Sequence, residues 1–318
     1  MARTILVTGC AGFIGSNFAQ EFKKRFPRVL IVGVDDFSTG RRDAVPRGIA
    51  FYEGSITDEK LVRRVFKKHR PEYVFHFAAR PRVSVSVLHP FETTETNIGG
   101  TVALLEASRD FKVKRFIYSS SSSIYGNTKK LPSKESDPPN PQSPYALQKY
   151  TGELFCKQFS ALYGLDTVSL RYFNVYGPGQ YGDAAYSTAI AAWLSSYYFG
   201  TSGFLEGDGT QSRGFSYVDD VTEANILAVK FKGKFRGEMF NVAGKERVAL
   251  KEVKRLIEQH TGNELRLERR SSRLGDVKHT QADVSKARKW FGYKPRTGLE
   301  EGLRKTVAWY KNLRKSKK

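Results

Sequence analysis

The stretch Thr4-Ile5-Leu6-Val7-Thr8-Gly9-Cys10-Ala11-Gly12-Phe13-Ile14-Gly15 decides how the rest of the chain is read. Its first five residues form a short apolar run of the kind a strand buried on both faces requires. Three spaced glycines follow, and residues 13–26 then carry the amphipathic pattern of a helix. Glycines in these places permit a tight turn, close approach of backbone to a pyrophosphate, and close packing of helix on strand. The helix start would meet such an anion with N–H groups and the positive end of its dipole. Glycines alone are a weak signal, whereas strand, glycines and helix in that order are a strong one.

The next strand, residues 29–34, ends in Asp35-Asp36, with Asp35 twenty residues after Gly15. A carboxylate there accepts from ribose hydroxyls and repels a 2′-phosphate, which predicts NAD rather than NADP. Arg41 and Arg42 would favour the phosphate, but they lie out in the loop while the acid closes the strand. The alternation continues with a strand at 51–52, a helix at 57–69 capped by Thr57, and a strand at 73–77. A helix at 90–109, a strand at 115–119, a helix from Ser143 and a strand at 167–173 follow. This order predicts an α/β fold with a doubly wound parallel sheet, whose ligands bind beyond the carboxyl ends of the strands. The serine run 119–123 stands at such an end. Alone it would read as a low-complexity loop; between an apolar strand and Ile124-Tyr125-Gly126 it reads as hydroxyls directed into the crevice.

Ser143-Pro144-Tyr145-Ala146-Leu147-Gln148-Lys149 opens the helix that follows. Ser143 suits the N-cap, Pro144 the first helical position, and Gly164 the stop. Tyr145 and Lys149 are four apart and project from one face. The bland reading is one core aromatic and one solvated lysine. The chemical reading is a phenol, with an unperturbed pKa of about 10, made a usable base by an adjacent ammonium.

At 318 residues the chain is long enough for two lobes. No apolar run approaches the ~20 residues of a membrane span. The N-terminus enters a strand at once, so no signal peptide is expected. Cys10 and Cys156 form no disulfide or zinc spacing. A cytoplasmic enzyme is the expectation. The net charge of +21 raises nucleic-acid binding as a rival. Yet the basic residues are spread over the whole length, only 314–318 form a block, and no nucleic-acid motif accompanies them. A basic surface that attracts anionic substrates is the better account.

After residue 173 the pattern changes to a glycine-rich loop at 177–182, an aromatic-rich helix at 185–199 and isolated short elements. A strand at 238–242, a helix at 250–261 and a final helix at 299–313 complete the chain. The expected division is a dinucleotide-binding domain at 1–173, to which 215–243 returns, and a smaller lobe at 174–214 and 244–318.

The glycine turn, the serine run before Ile124-Tyr125-Gly126, and Tyr145 with Lys149 resemble the extended short-chain dehydrogenase/reductases. Arg171-Tyr172-Phe173-Asn174-Val175-Tyr176-Gly177-Pro178, the segment 207–213 and Tyr217-Val218-Asp219-Asp220-Val221 extend the likeness to nucleotide-sugar epimerases acting at C4. It spans residues 4–309. The resemblance implies a Rossmann-like sheet with a C-terminal substrate-binding lobe, a retained NAD, and a UDP-sugar substrate. By it, Tyr145, Lys149 and Ser121 are catalytic. NAD would meet Gly9, Gly12, Phe13, Ile14, Gly15, Asp35, Asp36, Ser55, Ile56, Phe77, Ala78, Ala79, Asn97 and Tyr172, besides Tyr145 and Lys149. The substrate would meet Ser121, Ser122, Ser123, Tyr145, Asn174, Arg213, Arg273, Asp276 and Thr280, with no metal. A homodimer through 90–109 and 143–163 is also implied, with no specific nucleic acid or membrane partner.

Two positions depart from the family pattern. Ser55 stands where an acidic residue usually receives the adenine amino group, and Gly214 where Asp usually follows the phosphate-binding arginine. Related dehydratases and decarboxylases carry an acid at the place of Ser123. Glucuronate 4-epimerases would offer a cation from the segment here at 179–185, which holds no Arg or Lys. An NAD-binding protein without catalysis is the rival from another class, and an intact Ser121, Tyr145 and Lys149 set speaks against it.

Overall fold

A computed structural model describes residues 3–128, 130–182, 188–270 and 278–316. β1 (Thr4–Thr8) passes through the glycine turn into α1 (Phe13–Arg25), followed by β2 (Leu30–Asp35) and β3 (Ala50–Glu53). α2 (Glu59–His69), β4 (Tyr73–His76), α3 (Val83–Leu88) and α4 (Pro90–Thr94) come next, then a π-helical turn at Glu95–Gly99 and α5 (Gly100–Asp110). β5 (Arg115–Ser121), α6 (Pro144–Tyr163), β6 (Thr167–Tyr172) and the two-residue β7 (Val175–Tyr176) follow. Beyond them lie α7 (Ala189–Phe199), β8 (Phe204–Glu206), β9 (Ser212–Gly214), β10 (Ser216–Tyr217), α8 (Val218–Lys230) and β11 (Glu238–Val242). The chain ends with β12 (Arg247–Ala249), α9 (Leu250–Thr261), β13 (Glu268–Arg270), α10 (Ser285–Phe291) and α11 (Leu299–Ser316).

Seven of these strands form one parallel sheet in the order β11-β6-β5-β4-β1-β2-β3. Apolar side chains cover both faces of every inner strand, which is why the strands read as unbroken hydrophobic runs. α1, α8 and α10 contribute Phe18, Val221 and Phe291 to a core on one face. α2, α5 and α6 contribute Phe66, Leu105 and Cys156 to the core on the other. A further core, built from α7, α9 and α11 around Trp193, Ile257 and Tyr310, takes no side chain from the seven-stranded sheet. Strand order reverses between β1 and β4, and the crevice opens at their carboxyl ends.

Several local expectations change. The single helix expected at 90–109 is α4, the π-helical turn and α5, preceded by the unforeseen α3. Within the π-helical turn Asn97 is buried, and its amide group bonds Gln148 and the backbone of Arg80. α2 is capped by Asp58, not Thr57: the Asp58 carboxylate accepts from Leu61 N–H at 3.0 Å, while the Thr57 hydroxyl pairs with Ser55 Oγ at 2.8 Å. β5 runs two residues further than expected, carrying Ser121 to the last strand position. α7 starts at Ala189, and part of its expected span lies outside the described residues. α6 is framed as its sequence indicates. Ser143 Oγ accepts from Ala146 N–H, Pro144 opens the helix and Gly164 turns it off at φ +69°. Among the described residues, no helix is long and apolar enough to cross a membrane.

Candidate active site

A crevice of about 1360 Å³ runs along the carboxyl ends of the central strands, between the sheet and the elements that follow β6. Its floor begins at the glycine turn. Gly9 adopts φ +70°, and a Cβ there would lie 2.6 Å from Ala78 N, so a side chain would separate the ends of β1 and β4. A Cβ on Gly15 would lie 2.1 Å from Gly9 O, against the turn itself. No side chain caps α1, and Gly12, Phe13 and Ile14 line the crevice. This is the backbone cradle a pyrophosphate requires.

Asp35 closes β2 and is buried. Its carboxylate accepts from Ala11 N–H and Phe37 N–H, each at 2.9 Å. Burial raises its pKa, and the two backbone donors work against that rise. Asp36 and Arg80 lie 3.9 Å apart at the same rim. Both loop arginines already face carboxylates. Arg41 pairs with Asp43 and Arg42 with Glu53. The residues therefore fit a dinucleotide with a plain ribose hydroxyl. Ile56, Phe77, Ala78, Ala79 and Tyr172 also line the crevice. Ser55 and Asn97 do not: the Ser55 hydroxyl turns to Thr57, and Asn97 is buried behind Arg80.

The second half of the crevice is the serine corner. Ser121, Ser122, Ser123 and Tyr145 line it together. Ser121 Oγ accepts from Ser123 Oγ at 2.9 Å and from Ser123 N–H at 3.2 Å. Ser86 Oγ receives the Tyr145 N–H at 3.0 Å and fixes the start of α6. Burial pushes the Tyr145 phenol up to about 12, and a hydrogen bond with Ser121 opposes that rise. Lys149, expected beside the phenol, donates its Nζ to the Ser119 carbonyl at 2.8 Å and lies over the Tyr118 ring. Burial depresses Lys149 to about 8. Lys149 therefore stands behind the crevice wall and not in it.

On the far side, Asn174, Arg213 and Thr280 line the crevice. Asn174 Nδ2 donates to Gly214 O and to Thr280 Oγ1, both at 3.0 Å. Gly214 N–H also reaches Thr280, bonding its carbonyl at 2.8 Å. The departure at Gly214 is thus absorbed by backbone bonding between neighbouring segments. Arg213 donates to the Lys278 carbonyl at 3.0 Å. Arg273 and Asp276 lie outside the described residues. Of the serine run expected at the crevice, Ser120 to Ser123 line it and Ser119 does not; Ser120 gives its hydroxyl to Glu153 at 2.6 Å. Sequence reading missed Gln180 and Tyr181, whose only signal was their place just after Gly177-Pro178. Among the described residues, no group of His, Cys, Asp and Glu side chains is arranged to hold a metal.

The NAD dependent epimerase/dehydratase family profile matches residues 5–243. The UDP-glucose 4-epimerase of Mycolicibacterium smegmatis is 34% identical over 320 residues, covering 96% of this chain and 98% of its own. The crystal structure of Thermotoga maritima UDP-glucose 4-epimerase with UDP-glucose superposes with a TM-score of 0.92 at 38% identity, over 98% of this chain and 99% of that one. The Bacillus cereus UDP-glucuronic acid 4-epimerase, solved with UDP-glucuronic acid and NAD, gives 0.88 at 31% identity over 98% and 99%.

Proposed function

The chain belongs to the NAD dependent epimerase/dehydratase family, and from that premise we propose that it inverts C4 of a UDP-hexose with NAD as resident cofactor. The observation that carries this reading is a single crevice joining two halves. One half is the glycine turn with Asp35; the other is Ser121 with Tyr145. When bound, NAD supplies the hydride acceptor and donor for C4 and, in its oxidised form, a positive charge beside the phenol. Tyr145, as phenolate, accepts the proton of the sugar 4-hydroxyl and later returns it. Ser121 Oγ hydrogen-bonds that hydroxyl and helps hold the phenolate. Lys149 acts from behind the wall, fixing the carboxyl end of β5 through the Ser119 carbonyl and so the place of Ser121.

Arg213 is proposed for the diphosphate, since a guanidinium fork pairs with phosphate oxygens in two-point contacts. Arg273 and Asp276 are proposed for the diphosphate and the uridine ribose by sequence position alone. The elements outside the large sheet would close over the nucleotide sugar. We further propose a homodimer through α3 to α6, where Leu88, Phe91, Leu147 and Leu162 expose 62%, 78%, 53% and 68% of their surface.

Two features separate this reading from others in the family. Ser123, whose hydroxyl bonds Ser121, cannot act as the acid a dehydratase or decarboxylase uses. UDP-glucuronate remains the second reading, favoured by relatives such as the Bacillus cereus enzyme and opposed by the lack of Lys or Arg at 179–185. The deciding experiment denatures purified protein, identifies released NAD, and assays UDP-glucose, UDP-N-acetylglucosamine and UDP-glucuronate side by side. Released NAD with UDP-galactose formation supports the proposal. Turnover of UDP-glucuronate alone replaces the hexose, and no nucleotide with no turnover overturns the whole reading.

A further inference from the structure

The segment 177–182 lines the crevice through residues 179–182 and is tied on both sides. Toward the sheet, Asn17 Nδ2, on the first turns of α1, donates to Pro178 O at 3.0 Å. Gly179 packs there so closely that a Cβ would sit 3.0 Å from Asn17 Nδ2, and its φ of +87° also suits glycine. The guanidinium of Arg41, in the loop after β2, stacks over the Tyr181 ring at 4.2 Å. Away from the sheet, Tyr310 of α11 donates to Gln180 O at 2.7 Å, and Trp309 meets Tyr181 edge-on at 5.1 Å.

The two ties to the sheet come from the places that matter for a dinucleotide. Asn17 is next to the anion-binding start of α1, and Arg41 follows the ribose-binding Asp35. Arg41, Gln180 and Tyr181 all line the crevice. Gln180 Oε1 is buried on the strap and accepts no hydrogen bond, so it has an acceptor to offer a ligand donor. A dinucleotide lying from the glycine turn to Asp35 would run alongside this span, which is held at both ends of that path by Asn17 and Arg41.

We propose that residues 177–182 form a strap that retains the dinucleotide, with the Arg41–Tyr181 stack as its closing contact. Arg41 then acts on release of the cofactor and not on a 2′-phosphate, which explains its pairing with Asp43. The inference rests on reading the crevice as a dinucleotide site. Neither residue touches reacting atoms.

The test measures exchange of bound NAD against radiolabelled NAD by rapid gel filtration of parent, Tyr181→Ala, Tyr181→Phe and Arg41→Ala proteins. A cation stacked on an aromatic ring should slow release about 3- to 30-fold. Tyr181→Ala and Arg41→Ala should therefore release NAD faster by that factor, whereas Tyr181→Phe, which keeps the ring and loses only the hydroxyl's contact with Arg41, should stay closer to the parent than to Tyr181→Ala. Should Tyr181→Ala fail to fold, the surface change Arg41→Ala carries the comparison. Equal release rates in folded Arg41→Ala and parent protein overturn the strap while leaving the site reading intact. A parent that neither carries nor binds NAD overturns both.

Discussion

Lys149 Nζ donates to the Ser119 carbonyl at 2.8 Å, so the lysine of the Tyr-x-x-x-Lys pair is fastened beneath the strand that carries the serines. Its ammonium is buried, which depresses its pKa to about 8. Between about pH 8 and the unfolded value near 10.5, the unfolded chain holds a proton the folded chain has released. The penalty for burying the charge is thus full below pH 8 and fades as pH rises to 10.5. Replacing Lys149 with Met should change the melting temperature in a pH-dependent way: the parent should gain on the variant between pH 8 and 10.5. A constant difference across that range, read by circular dichroism, would remove the buried charge as the cause.

Tyr145→Phe keeps the ring and removes the only ionisable atom. Its backbone N–H still bonds Ser86 Oγ, so the start of α6 should stand. Epimerisation should fall by about 10²–10⁴-fold, the usual contribution of a positioned acid–base group, with NAD content unchanged. Activity within a few-fold of the parent would take Tyr145 out of the mechanism.

Glu153 and Arg171 form a buried two-point ion pair, with Nε–Oε1 at 2.8 Å and Nη2–Oε2 at 2.7 Å. Ser120 adds its hydroxyl to the same carboxylate, and Tyr125 accepts from the guanidinium at 2.8 Å. Glu153→Gln leaves the guanidinium without its countercharge, and about 3–5 kcal/mol of stability should be lost. The double variant Glu153→Gln with Arg171→Met should lose less than the sum of the two single changes. Additive losses in urea titrations would mean the pair is not coupled.

The fold was legible because its signals are local. β1, the glycines and α1 are contiguous, and Asp35 sits at a fixed distance from them. The Tyr145 helix was legible for the same reason: Ser143, Pro144 and Gly164 each fix one end of it by their own backbone preferences. What was not legible depends on partners far along the chain. The target of Lys149 lies 30 residues away, and the partner of Glu153 lies 18 away across a strand. The arginines after Asp35 were set aside as phosphate ligands by their loop position, but their partners Asp43, Glu53 and Tyr181 carry no sequence signal. The π-helical turn leaves no mark in an apolar pattern, because Asn97 is drawn inward by Gln148 and the Arg80 backbone.

Exposed apolar side chains on α3, α4 and α6 lead to a prediction about assembly. Phe91 and Leu162 are exposed to 78% and 68%, and joined in one patch with Leu88 and Leu147 they would form the buried face of the proposed dimer. Sedimentation velocity should give twice the chain mass for the parent and the single-chain mass for a Phe91→Glu, Leu162→Lys variant. A monomeric parent at micromolar concentration would refute the proposed interface.

Substrate range turns on Thr280, which lines the crevice beside Asn174. Its side chain is small, and its hydroxyl accepts from Asn174 Nδ2 at 3.0 Å and from Gly214 N–H at 3.3 Å. In the proposed epimerase, a small residue here leaves room for a 2-acetamido group beside the sugar 2-position. Both UDP-galactose and UDP-N-acetylglucosamine should therefore turn over in the parent. Thr280→Tyr should abolish the N-acetylated activity while sparing UDP-galactose, because the ring fills the acetamido volume and excludes it by contact. The ring also displaces the acceptor used by Asn174, so loss of both activities would leave steric exclusion undemonstrated. Thr280→Val separates the two effects, since it removes the acceptor at nearly constant size. It should keep the N-acetylated activity if volume sets the range, and lose it if the Asn174 hydrogen bond does. A parent that converts UDP-galactose but leaves UDP-N-acetylglucosamine untouched would rule out a gate set by the size of Thr280.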